Sequence, residues 1–559
     1  MTFFLYGFYA LLAQTLLLRE LAQVFGAHEL ALAGALAAWV FWTAAGVFLA
    51  AKLKPAASGN GPALPSPYFA AAGVLLAAVI PANILAARLA PALFSPGLQP
   101  GLFLMLAGPA LLALPAGLVN GLAAGFGLAR LPARFYALEA AGAAAAGALT
   151  VAYFHYFPQF SALALLTLPA LALAAACALR RPFSKFRLAG FALAAAALFC
   201  SDAAERSAWR LRPPAARPGV VIQTRGSRLA VTEPAGKQLF YEDGRLLAAP
   251  EDPAWEELAH IPLLAVEKPR RVLLTGSGAF FLLPEVLKHK PKEVDIAEPD
   301  IFKSWFLAGR AGSAGNVRTL PYDLRGLPAG TPPYDAIFQT VPSPDNAALN
   351  RNFTVEFFRA AAARLRPGGL LVFQLPFADN YLPPEKAYTI ASVLAAARLA
   401  FPAVELLPGA RLTIMAGAKA PGLAPDKLTA VYLKRGLKTA TVLPSAFPFM
   451  LDPYRRAWAA HELEKVKNPV VNSDLSPLAY FHFWRAWLSM VVSPGSLLGL
   501  AALALCALCA GLLLAGRLSF TPERRTGEAF LMGFWGMAFE TALLLAFQAR
   551  TGQLNPQLG

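Results

Sequence analysis

The chain has 559 residues, of which 57% are hydrophobic and 15% charged, and its formal net charge is +16. Soluble globular proteins carry about a quarter of their residues as charges, so this balance excludes a disordered, fibrous or ordinary soluble protein and points to the lipid bilayer as a partner. Lys and Arg are scattered singly, so the positive excess reads as loops facing anionic lipid, and nucleic acid is not expected as a partner.

A bilayer crossing needs about 20 apolar residues. Such runs occur at 3–18, 30–51, 68–89, 101–127, 135–154 and 160–179, with a shorter run at 188–204. The first has no basic start and further runs follow at once, so it reads as a helix and not as a cleaved leader. Two more runs, 494–516 and 529–548, lie at the far end. Cys177, Cys200, Cys506 and Cys509 all sit in apolar sequence, so no disulfide framework is expected. The six histidines show no ligand spacing and no metal site is predicted.

Between these groups, from 205 to 480, charges return and Gly and Pro punctuate short runs. Residues 220–222, 227–232 and 238–241, followed by Glu242-Asp243-Gly244, predict a small β-hairpin unit. Strands are then predicted at 271–275, 293–297, 317–320, 334–338 and 370–374, and helices at 280–289, 354–365 and 384–399. The alternation argues for a parallel sheet with crossover helices. The expected architecture is a multi-pass α-helical membrane protein with an inserted α/β Rossmann-like domain, preceded by the small β unit. The boundaries read as a membrane domain at 1–204, the β unit at 205–252, the Rossmann-like domain at 253–420, a helical connector at 421–490 and closing membrane helices at 491–559.

The two ends match each other. Without gaps, residues 4–26 and 530–552 share Phe4/Phe530, Leu5/Leu531, Gly7/Gly533, Phe8/Phe534, Thr15/Thr541, Leu17/Leu543, Leu18/Leu544 and Gly26/Gly552. Repeated halves are usual in transporter folds. The second copy has no further helices after it, which predicts a truncated product of a longer two-halved protein with 529–548 loosely packed.

Positive charge in short loops sets orientation. One set of loops carries eleven Lys and Arg (52, 54, 130, 134, 180, 181, 185, 187, 517, 524 and 525) and the other carries six (19, 88, 206, 210, 212 and 485). The first set is therefore expected in the cytoplasm. If 188–204 crosses, the middle domain lies outside, which is the expected side; if it lies in the interface, the domain is cytoplasmic.

The strand at 271–275 ends in Gly276-Ser277-Gly278, with a helix next. Glycines there let a backbone approach a ligand, and the helix start offers N–H groups. Glu298 ends the following strand, where an acid can accept both ribose hydroxyls. Asp323 ends the third strand, as an acceptor for an adenine amino group. Gly276, Gly278, Glu298 and Asp323 are thus the candidate nucleoside-binding residues. The fourth strand runs into Gln339-Thr340-Val341-Pro342-Ser343-Pro344, with no acid or histidine, so no catalytic residue is assigned.

From about 227 to 418 the sequence resembles the spermidine synthase (polyamine aminopropyltransferase) family, and in particular its membrane-embedded branch. The resemblance rests on Phe240-Tyr241-Glu242-Asp243-Gly244, residues 272–278, Glu285-Val286-Leu287-Lys288-His289, Asn350-Arg351 through Phe357-Phe358, Arg366-Pro367-Gly368-Gly369 and Gln374. Asn472-Ser473-Asp474-Leu475-Ser476-Pro477 resembles the flank of that branch. The resemblance implies a methyltransferase-like core and transfer of an aminopropyl group from decarboxylated S-adenosylmethionine to putrescine.

Gly276 and Gly278 match the family's Gly-rich turn, Glu298 its ribose acid and Asp323 its adenine-side acid. Ala279, Phe280 and Phe281 stand where the family has an acid and two glycines. Thr340 stands at its catalytic Asp and Ser343 at its next acid; Leu247 replaces a cofactor-side Gln, and Ala254-Trp255 replace the Tyr-His that contacts the diamine. The implied reading is a membrane-anchored, spermidine synthase-like protein. Its adenosyl-nucleoside site is partly retained, its catalytic residues are eroded, and its role is ligand-binding or regulatory. The alternatives are an active aminopropyltransferase and a transporter regulated by this domain. The transporter reading rests on Gln14, Asn83, Asn120, Glu139 and Glu540 inside apolar runs.

Overall fold

The computed structural model describes residues 1–25, 29–53, 67–90, 101–128, 132–157, 162–178, 218–311, 315–378 and 381–489, with isolated positions elsewhere. The predicted runs at 188–204, 494–516 and 529–548, and with them the repeat, lie outside the described residues apart from such isolated positions. The chain divides into two compact units between Pro250 and Glu251.

In the first unit, helices α1 (Thr2–Val24), α2 (Glu29–Lys52), α3 (Pro67–Leu89), α4 (Leu102–Leu128), α5 (Pro132–Tyr156) and α6 (Ala162–Ala178) follow the predicted apolar runs. Among the described residues, five helices are long and apolar enough to cross a membrane. Glycines bring their backbones into contact, as in helix pairs that lack a hydrophobic driving force. A Cβ on Gly7 would lie 2.1 Å from the carbonyl oxygen of Glu139, and one on Gly142 2.1 Å from that of Phe4, so α1 and α5 touch backbone to backbone. Gly46 and Gly121 do the same for α2 and α4. The polar residues in these runs join helices: Tyr6 Oη donates to Asn120 Oδ1 at 2.8 Å, and Asn83 Nδ2 donates to the carbonyl of Leu112. Asn83 and Asn120 thus have structural roles, which removes part of the motive for a transport path.

The β part of this unit is a four-stranded antiparallel meander, β1 (Pro218–Gln223), β2 (Arg228–Thr232), β3 (Leu239–Glu242) and β4 (Arg245–Ala248). Asp243 and Gly244 turn β3 into β4 with φ of 49° and 77°, the pair of positive values that a two-residue type I′ hairpin turn demands. Strand β4 is additional to the predicted strands. Glu20 on α1 is buried and joins the meander to the helices. Its carboxylate takes Arg88 of α3 at 2.9 Å and Arg228 of β2 at 2.7 Å. Arg19 donates to the carbonyl of Thr224 at 3.1 Å, with its guanidinium 3.5 Å from the centroid of the Phe154 ring. Arg19 and Arg88 are therefore not loop charges, and without them that side of the orientation count falls from six to four.

The second unit is built on a seven-stranded sheet ordered β7-β6-β5-β8-β9-β11-β10. Its strands are β5 (Arg271–Thr275), β6 (Glu293–Ala297), β7 (Val317–Leu320), β8 (Tyr334–Gln339), β9 (Leu365–Pro376), β10 (Ala403–Leu407) and β11 (Arg411–Gly417). β5 pairs in parallel with β6 and with β8, as the alternation predicts. β11 runs antiparallel to both β9 and β10. The helices are α7 (Ala254–Ala265), α8 (Ala279–Leu287), α9 (Ile301–Ala311), α10 (Val355–Ala362), α11 (Pro384–Arg398), α12 (Pro425–Arg435), α13 (Pro453–Glu464) and α14 (Leu478–Ser489). This is an open α/β sheet with one reversed strand, β11, next to the β10 edge. β5 is buried along its whole length, which is why it reads as an unbroken apolar run. Chain order reverses between β5 and β8, so the crevice at their carboxyl ends is where such a sheet binds ligands.

Candidate nucleoside site

Gly276 has φ of +91°, a conformation that favours glycine. A Cβ there would lie 2.9 Å from Thr340 Oγ1. A Cβ on Gly278 would meet the Thr340 side chain at 2.9 Å and the Trp255 ring at 3.0 Å. Both glycines are therefore required by close neighbours, Thr340 and Trp255. The Trp255 ring stacks on Phe281, with centroids 6.1 Å apart and planes at 24°. The Thr340 hydroxyl donates to the carbonyl of Thr275 at 2.9 Å, so its proton is committed to the turn.

Glu298, at the carboxyl end of β6, is 3% exposed. Its Oε1 accepts the Asp300 N–H at 3.1 Å, and its Oε2 lies 3.3 Å from Lys303 Nζ. Lys303 also donates to Ser277 Oγ at 3.0 Å. One lysine thus ties the Gly-rich turn to the ribose-side acid. Asp323 caps the turn that follows it, accepting the Gly326 N–H at 2.7 Å, and it pairs with Arg351. The structure therefore gathers Gly276, Gly278 and Glu298 at one crevice edge through Lys303, and holds Asp323 through Arg351. Leu247 lies on β4, in the first unit.

Two features carried no usable sequence signal. Asp345 is 5% exposed and takes the hydroxyl of Ser343. It lies one residue past the segment read as acid-free, so the loop after β8 does hold a buried carboxylate.

The second is a chain of side chains spread over three helices. Arg435 donates to His289 Nδ1 at 2.9 Å, His289 Nε2 lies 2.8 Å from His260 Nδ1, and His260 Nε2 lies 2.9 Å from Glu285. Arginine can only donate, so both imidazoles are neutral and their protons point toward Glu285. Lys288 is 2.6 Å from the same carboxylate and 3.8 Å from Glu256. The nearest ligand atoms of Glu256, His260 and Glu285 lie within 4.8 Å of one another, an arrangement able to hold a cation. Lys288 already supplies a positive charge there.

Burial, helped by the charges of Arg435 and Lys288, pushes His289 down to about 2, and burial also lowers His260. An unfolded histidine titrates near 6.5. Below that pH the unfolded chain binds protons that the folded chain refuses, so stability falls as pH drops. The expected slope is about 1.4 kcal/mol per pH unit for His289, with His260 adding to it in the same direction. Thermal unfolding of the wild type between pH 7 and pH 5 should show this loss, and His289→Gln should reduce the pH dependence. An unchanged slope in the variant contradicts the assignment.

No protein-family model matches the chain. It is 32% identical over 151 residues to spermidine synthase 1 of Pisum sativum, an alignment covering 25% of this chain and 44% of that protein. It is 34% identical over 151 residues to polyamine aminopropyltransferase 2 of Hyperthermus butylicus, covering 25% and 49%. The enzyme of Corynebacterium efficiens is 28% identical over 174 residues, covering 29% and 33%. Among solved structures, spermidine synthase of Thermotoga maritima aligns with a TM-score of 0.37 at 18% identity, over 45% of this chain and 89% of that one. A spermidine synthase in complex with the transition-state analogue AdoDATO aligns at 0.36 and 17%, over 45% and 90%. Over about a quarter of its length the chain is thus similar in sequence to spermidine synthases and polyamine aminopropyltransferases, and the matches span less than half of those proteins.

Proposed function

We propose that this chain is a membrane-anchored protein whose spermidine synthase-like domain binds an adenosyl nucleoside and no longer transfers aminopropyl groups. The observation that carries this reading is the packing over Gly278, where Trp255, stacked on Phe281, and Thr340 fill the space above the turn. Aminopropyl transfer needs a deprotonated amine, with its other cationic end held by carboxylates. The positions matching the family's acids hold Thr340 and Ser343, and the Thr340 hydroxyl is spent on Thr275. The retained turn and Glu298 suit decarboxylated S-adenosylmethionine or a related adenosyl nucleoside in its sugar portion only. Five apolar helices among the described residues support anchoring in a cell membrane; the positive-charge count, taken with 188–204 as a crossing, favours an extracytoplasmic position for the domain.

The full chain in detergent, supplied with decarboxylated S-adenosylmethionine and putrescine, is expected to form no spermidine above background. Turnover of about 1 per second or more would falsify this reading. Thr340→Asp alone should not restore activity, because Trp255 still fills the acceptor side. Asp345 favours a second reading, an active transferase whose acid has moved along the loop. Turnover abolished by Asp345→Asn would establish it.

A further inference from the structure

We propose that the crevice beside Glu298 takes a nucleotide with a 5′-phosphate, not a cationic sulfonium nucleoside. The proposal rests on the nucleoside reading above and names the ligand class of that site. Its basis is the charge at the turn. A sulfonium donor with an aminopropyl tail carries two positive charges and needs nearby carboxylates. Here a cation, Lys303, stands at the Gly-rich turn, 3.0 Å from Ser277 Oγ and 3.3 Å from Glu298 Oε2. The sugar portion of the adenosyl donor fits these residues, and its cationic tail does not.

A phosphate resolves the conflict. In this fold the ribose is held by the acid after the second strand, and the 5′ substituent points to the glycine turn and the following helix. A 5′-phosphate at Ser277 and Gly278 would give Lys303 a second anion beside Glu298. Charge-assisted bonds of this kind are about twice as strong as neutral ones. The base has its own place. A pocket of about 340 Å³ adjoins Glu298, lined by Ile301, Ser304, Trp305 and Ala308 on one face of α9 and by Thr319 and Pro321, a size within the range of small-molecule sites. The Ser304 hydroxyl in this wall is buried and has no hydrogen-bond partner. Trp305 beside it is 76% exposed and offers a flat face for a base.

The test is calorimetric titration of the full chain in detergent with AMP, adenosine, methylthioadenosine and decarboxylated S-adenosylmethionine. AMP is expected to bind about tenfold or more tightly than the other three. Lys303→Met should abolish that advantage, and an unfolding midpoint within a few degrees of the wild type shows that the variant is folded. Trp305→Ala should weaken AMP and adenosine by the same factor. Methylthioadenosine or the sulfonium donor binding as tightly as AMP overturns the phosphate proposal and leaves the nucleoside reading standing. An AMP advantage that survives in Lys303→Met also overturns it, as does unaltered binding in Trp305→Ala. Failure of all four ligands to bind overturns both.

Discussion

Glu20→Ala is expected to destabilise the first unit by about 3–5 kcal/mol, because removing one partner of a buried ion pair leaves uncompensated charge behind. Here one carboxylate serves two guanidiniums, Arg88 at 2.9 Å and Arg228 at 2.7 Å, and its side chain is 1% exposed. The loss falls on a junction. Arg228 opens β2 and Arg88 lies near the end of α3, so the same carboxylate holds the β meander to the helices. Limited proteolysis should therefore find the 218–248 meander newly cleavable in Glu20→Ala while α1 and α3 stay protected. The triple variant Glu20→Leu, Arg88→Met, Arg228→Met should recover much of the loss, because buried ionic groups replaced together by apolar ones are often neutral. A Glu20→Ala protein with wild-type unfolding and an uncut meander removes Glu20 as the joint.

That junction shows where sequence reasoning stops. α1 to α5 were legible because Leu and Ala run on for a bilayer's width, and β5 because a strand buried on both faces is continuously apolar. Arg19, Glu20 and Arg88 sit at the ends of apolar runs, where charges ordinarily mark loops. Nothing local says that a carboxylate at 20 will meet a guanidinium at 228. The β10–β11 pair was missed for a related reason. β11 fits between β9 and β10 through pairings that bring residue 411 to 376 and 417 to 370, and register over that distance has no local signature. α9 was missed because its polar face interrupts the apolar run between β6 and β7.

The site was half legible. Gly276, Gly278 and Glu298 announce themselves, since glycine at a strand–helix turn and an acid one strand on are local patterns tied to strand ends. What decides the chemistry is what the fold packs against them. Lys303 reaches back to Ser277 from α9, and Trp255 reaches Gly278 from α7. The neutral histidine chain is likewise non-local, running from residue 435 through 289 and 260 to 285.

The clasp around Asp474 should show a large effect in the second unit. Arg325 donates to both oxygens of Asp474, at 2.6 and 3.1 Å, and Thr354 Oγ1 donates to the same carboxylate at 2.8 Å. Two residues earlier, Asn472 Nδ2 donates to Asn350 Oδ1 at 3.0 Å and to the carbonyl of Phe353 at 2.9 Å, and its backbone carbonyl accepts from Val355. The 472–474 segment therefore pins the loop whose Arg351 holds Asp323 at the crevice. Arg325 and Asp474 are 18% and 15% exposed, between the surface limit of about 0–1 kcal/mol and the buried limit of about 3–5. Asp474→Ala is expected to cost about 2–3 kcal/mol, a fall of roughly 5–10 °C in the unfolding midpoint for a domain of this size. Arg325→Met should cost a similar amount. If the two act as one unit, Arg325→Met with Asp474→Leu should be no worse than either single change. Losses that simply add in the double variant would mean that Arg325 and Asp474 stabilise the domain independently, and that the loop at 350–354 is held by Asn472 alone.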